Sequence, residues 1–116
     1  MKGRINLVEL RDLTAEMNRF VTAKGWYQED TPRQQTPRNL AISLSLEAAE
    51  VLEHFQWSEE IAERREFEGE LADVALYLLQ LASVTGIDLE KAVMTKLQTN
   101  YSRQWDQNKG NKEDKQ

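Results

Sequence analysis

Leu46-Glu47-Ala48-Ala49-Glu50-Val51-Leu52-Glu53-His54-Phe55 and Glu70-Leu71-Ala72-Asp73-Val74-Ala75-Leu76-Tyr77-Leu78-Leu79 decide the fold. Each stretch carries two acids three residues apart, a spacing that puts both carboxylates on one face of an α-helix. At about 100° per residue, Ser43, Glu47, Glu50 and His54 fall in one narrow wedge. Glu66, Glu70, Asp73, Tyr77 and Gln80 fall in another. Almost everything else on these two helices is apolar. A surface helix shows the reverse, a narrow apolar stripe and a broad polar face, so both helices belong inside a bundle or an oligomer. Their polar wedges must then face a cleft or each other.

The rest of the chain reads as helix too, and the fold class is all-α. Leu10, Leu13, Met17, Phe20 and Val21 recur at helical spacing and predict a first helix over residues 5–23, ended by Gly25. Residues 26–36 hold Pro32 and several polar side chains and read as a loop. Thr36-Pro37 is a start signal, a cap followed by proline at the first helical position, for a second helix reaching about residue 56. Ser58-Glu59-Glu60 predicts the next N-terminus, with one long helix, or a short and a long one, running to Val84. Gly86 is a terminator and Asp88 a cap for a last helix over 89–105. Residues 106–116 are polar and carry no apolar anchor, which predicts a disordered tail. The expectation is one all-α domain, residues 1–105, plus that tail.

Composition narrows the classes. A chain of 116 residues supports one domain with a modest core. It has no run of about 18 apolar residues, no secretory leader pattern at Met1-Lys2-Gly3-Arg4 and no cysteine. No membrane span, disulfide framework or thiolate metal site is expected, and a cytoplasmic location is. The net charge of −5 argues against nucleic acid as a partner, which needs a basic face.

Glu47, Glu50, Glu70 and Asp73 carry the chemistry. Four acids brought together repel, and burying them uncompensated is costly. A divalent cation is the simplest compensation. An all-oxygen set without cysteine or a histidine cluster suits Mg²⁺ or Mn²⁺ and disfavours Zn²⁺. Glu53 falls outside the wedge. Lys96, Asn100 and Arg103, spaced by four and three, share a face of the last helix, where cations meet phosphate or the acids. Trp26, Tyr27 and Trp57 lie at helix ends or in loops, placed to stack on a flat base or to plug the bundle ends.

These motifs resemble the MazG-like, all-α nucleoside triphosphate pyrophosphohydrolases, nearest the branch of dCTP pyrophosphatases. The resemblance rests on Glu47-x-x-Glu50, nineteen intervening residues and Glu70-x-x-Asp73, together with Thr36-Pro37-Arg38-Asn39-Leu40, the Leu46 to Trp57 run and Lys96-x-x-x-Asn100-x-x-Arg103. It spans about residues 10–103. It implies a four-helix MazG-like bundle that forms a homodimer or homotetramer, requires Mg²⁺, and cleaves a nucleoside triphosphate to a monophosphate and pyrophosphate. By position it implies metal ligation by Glu47, Glu50, Glu70 and Asp73, with Glu47 or Glu50 activating water. Lys96 and Arg103 would hold phosphates, Asn100 would contact nucleotide, and Trp57 and Trp26 would wall the base pocket. Two departures fall where base recognition is expected. Gln35 stands where many relatives carry histidine, and Gln104-Trp105 follows Arg103 where Tyr-Pro is common.

A different class is a non-catalytic helical binding or regulatory module whose acids pair with Lys96 and Arg103 as structural bridges. A di-iron bundle needs two Glu-x-x-His motifs, which this sequence does not provide.

Overall fold

The computed structural model describes residues 7–103, and within them the chain forms four α-helices and no strand. These are α1 (Leu10–Ala23), α2 (Pro37–Glu53), α3 (Arg64–Val84) and α4 (Leu89–Ser102). The expected tail at 106–116 and residues 104–105 of the expected last helix lie outside the described residues.

Helix ends follow the capping chemistry more closely than the apolar periodicity. The α2 start is the predicted one, with Pro37 at the first position and the Thr36 hydroxyl accepting from Asn39 N–H at 3.1 Å. Asp88 caps α4 by accepting from Lys91 N–H at 3.1 Å. Gly25 and Gly86 sit at φ 75° and 74°, the left-handed region in which a chain turns out of a helix. α4 ends at Ser102, with Arg103 already extended, and three other boundaries differ from expectation. α1 begins at Leu10, where the Asp12 carboxylate accepts from the Glu9 backbone N–H at 3.0 Å and fixes the first turn there. α2 stops at Glu53, three residues short of the expected end. α3 begins at Arg64, because the Ser58 hydroxyl takes the Glu60 N–H at 3.0 Å and holds that stretch in a local turn instead of a helix.

α2 and α3 pack along each other as the main helix pair, and α1 lies against α3. His54 at the end of α2 meets Glu70 early in α3, whereas Gln35 just before α2 meets Gln80 late in α3, so the pair is antiparallel. Met17, Val21 and Leu79 form the core cluster, with Leu10, Trp26 and Leu89 packed on it. Leu40, 2% exposed, is the one fully buried large side chain among the described residues.

The core is small because the apolar surface points elsewhere. The wedges of α2 and α3 turn toward each other, and large apolar residues around the rest of both helices stay exposed. Leu46 and Leu52 on α2 are 61% and 68% exposed, and Leu71 and Leu78 on α3 are also open. Of the two settings the sequence allowed for such helices, the chain's own bundle does not cover these faces.

Candidate active site

Glu47 marks the centre of the site. It projects from α2 half-buried, and its Oε1 is shut off from solvent without a hydrogen-bond partner among the described residues. Burial raises its pKa above the ordinary carboxylate value, and repulsion from Glu50, Asp73 and Glu70 raises it further. The two acidic pairs are therefore electrostatic neighbours, as the facing wedges require. Glu70 is contacted by His54 Nε2, and the His54 ring stands edge-on to Phe67 at 5.2 Å. Histidine 54 thus orients one member of the acid group.

An orphaned carboxylate oxygen in a crowd of like charges is the donor chemistry that an oxygen-seeking divalent cation satisfies. The residues fit such an ion in kind. As placed, no three acids or histidines among the described residues stand close enough to enclose one.

Asp73 joins this acidic group to a cavity of about 540 Å³, within the range that holds small molecules. Its walls include Trp26, Arg33, Asn39, Ser43 and Tyr77, and Gln35 and Gln80 also line it. The 26–36 loop builds one side. Gln34 fastens that loop by donating to the Glu29 and Thr31 carbonyls at 2.8 and 3.0 Å, and Asn39 donates to the Gln34 carbonyl at 3.0 Å. The Arg33 guanidinium lies 5.1 Å from the centre of the Trp26 ring, which also meets Phe20 edge-on at 5.7 Å. A larger cleft of about 710 Å³ runs between α1 and α4, but none of the four acids lines it. The cavity beside Asp73 can serve chemistry at the carboxylates.

Other expected site residues are placed differently. Trp26 walls the cavity, whereas Trp57 stands 88% exposed and outside its lining. Lys96, Asn100 and Arg103 lie on or just past α4, which packs on α1. Among the described residues Lys96 forms no ion pair with the four acids. Asn100 Oδ1 is buried without a hydrogen-bond partner there. Gln80 is the residue whose part sequence reasoning missed. Its membership of the α3 wedge was visible, but its meeting with Gln35 depends on a loop path that no local pattern encodes.

Comparison with known proteins agrees with this architecture. Residues 42–116 match the MazG-like family. The dCTP pyrophosphatase 1 proteins of Rattus norvegicus and Homo sapiens are 35% and 34% identical to the chain over 106 residues, covering 84% of it. The chain spans 58% of the length of these relatives. A crystal structure of a pyrophosphatase from Archaeoglobus fulgidus superposes with a TM-score of 0.67 at 36% identity, covering 85% of this chain and 94% of that one. Paired acids on two antiparallel helices, an aromatic-walled cavity beside them and sequence likeness through the same helices have one common account: this chain belongs to the MazG-like family.

Proposed function

We propose that the chain is a Mg²⁺-dependent nucleoside triphosphate pyrophosphohydrolase that converts a ribo- or deoxyribonucleoside triphosphate to its monophosphate and pyrophosphate. One observation carries the reading: Glu47, with an orphaned oxygen and repelled by Glu50, Asp73 and Glu70, belongs to an acidic group that Asp73 joins to a cavity with an aromatic wall. The first part suits a cation and the triphosphate, the second a flat base. Support also comes from the relatives, whose printed activities are dCTP pyrophosphatase and pyrophosphatase.

Glu47, Glu50, Glu70 and Asp73 would hold the cation, with Mn²⁺ able to substitute. When bound, it supplies charge neutralisation at the departing pyrophosphate and a lowered pKa for the attacking water. Glu47 or Glu50 accepts a proton from that water as its oxygen bonds to the α-phosphorus. The bond from the α-phosphorus to the bridging oxygen breaks, and pyrophosphate leaves with the electron pair. Lys96 and Arg103 hold phosphate oxygens, Asn100 contacts the nucleotide, and Trp26 bounds the base. The enzyme acts as a homodimer or homotetramer in the cytoplasm, clearing surplus or modified nucleotides. No single helix among the described residues is long and apolar enough to cross a membrane.

The module alternative pairs the acids with Lys96 and Arg103 as structural bridges; Glu70 is met by His54 instead, and Lys96 pairs with none of the four among the described residues. Purified protein incubated with Mg²⁺ and a panel of triphosphates should release pyrophosphate. Silence across the panel, or orthophosphate as the sole product, would overturn the proposal.

A further inference from the structure

Phe67 and Glu70, three residues apart on α3, share a face, and His54 at the end of α2 meets both. The histidine is well held. Its backbone N–H donates to the Val51 carbonyl at 3.3 Å, while Phe67, edge-on to its ring, is itself braced edge-on by Phe55 at 5.6 Å. The His54 side chain is 12% exposed and that of Glu70 23%, so water competes little for the contact between them.

A carboxylate only accepts, so the contact has one polarity: His54 Nε2 carries the hydrogen and Glu70 Oε1 receives it. Committed as a donor, Nε2 has no lone pair for a cation, and His54 binds none through that atom. Glu70 is left with Oε2 alone to offer an ion, within the acidic group whose Glu47 oxygen is buried without a partner among the described residues.

Divalent cations differ in what they ask of a carboxylate. Ca²⁺ gathers about six to eight oxygens and often takes both from one glutamate. Mg²⁺ takes six ligands at about 2.0–2.1 Å in a near-octahedral array. An acid restricted to one oxygen, held in one direction, suits the second ion and handicaps the first.

We infer that His54 is a positioning residue: by holding Glu70 Oε1 it leaves that acid a single free oxygen and makes the acidic group select Mg²⁺ over Ca²⁺. The inference rests on the metal-dependent hydrolase reading above and adds the device that chooses its ion.

The test is binding of Mg²⁺ or Ca²⁺ alone to metal-stripped protein, read as the rise in melting temperature with ion concentration. The wild type should bind Mg²⁺ the more tightly. His54→Phe keeps a ring against Phe67 and removes the donor. It should weaken Mg²⁺ by about 10- to 100-fold, and Ca²⁺ by no more than about threefold because the freed oxygen compensates. His54→Gln, whose amide places an N–H near the position of Nε2, should keep Mg²⁺ within about threefold of the wild type. A merely structural role would weaken both ions together and would not be rescued by glutamine. The inference is overturned by a wild type that prefers Ca²⁺ or ignores Mg²⁺, by parallel losses or no loss in His54→Phe, or by failed rescue. If His54→Phe does not fold, His54→Leu takes its place, and the wild-type preference is a test that needs no variant.

Pyrophosphate release from the triphosphate panel separates the two levels. The expected ion split in a protein that cleaves no triphosphate would sink the hydrolase reading and keep the positioning role. Cleavage by a protein whose ion affinities are indifferent to His54 would do the opposite.

Discussion

Glu47 shows how one side chain can be unfavourable for the fold and suited to a site. Its carboxyl is pushed toward protonation by burial first and by Glu50, Asp73 and Glu70 after that. Because its folded pKa lies above the unfolded value, its contribution to stability is fully present below the ordinary carboxylate pKa and is lost as pH rises through the raised one. Glu47→Gln removes that loss while keeping the shape. In metal-free protein the variant should therefore melt above the wild type at pH 7, with the gap closing on acidification toward pH 4, as scanning calorimetry would record. In Mg²⁺ the same variant should lose at least about 100-fold in pyrophosphate release, the upper end of what even outer-shell substitutions cost at metal sites. A variant less stable than wild type at pH 7 would mean that Glu47 is paired and not repelled. The spacing of these acids was legible in the sequence, since three residues on a helix leave little choice of direction. The path by which Gln35 reaches Gln80 was not, because it is set by the Gln34 and Asn39 bonds that fasten the preceding loop.

Helix ends divide by how local their causes are. Thr36 and Asp88 cap through bonds reaching three residues, and both starts were readable. Thr36→Ala should cost about 1 kcal/mol, which for a domain of this size lowers Tm by roughly 4–8 °C in a thermal melt. An unchanged Tm would show that Pro37 and packing fix this terminus without the hydroxyl. The α3 start was misplaced because Ser58, a good cap by type, spends its hydroxyl on Glu60 in a turn. Nothing in the residue types at 58–60 tells a helix cap from a local turn. The choice follows from where the chain must be to bring Glu70 under His54.

Over the whole molecule, polar wedges face inward and apolar faces outward, an arrangement that a single copy in water does not stabilise well. The homo-oligomer proposed above answers it. Light scattering after gel filtration should give a mass of at least twice the 13.5 kDa of one chain, with Tm rising with protein concentration. Leu46→Lys, placing a charge on one of these open faces, should shift the mass toward one chain and lower Tm. A wild-type mass of 13.5 kDa at every concentration would refute the assembly. The sequence by itself determined that the chain is helical and that its acids lie in two narrow wedges, because these follow from periodicity and spacing along one helix at a time; its resemblance to the MazG-like family rested on motifs drawn from several helices. Only the tertiary structure decided that the wedges meet, that Trp26 and not Trp57 walls the cavity, and that Gln35 reaches Gln80. Those are relations between segments far apart in the chain, fixed by which surfaces pack and by which donor finds which acceptor.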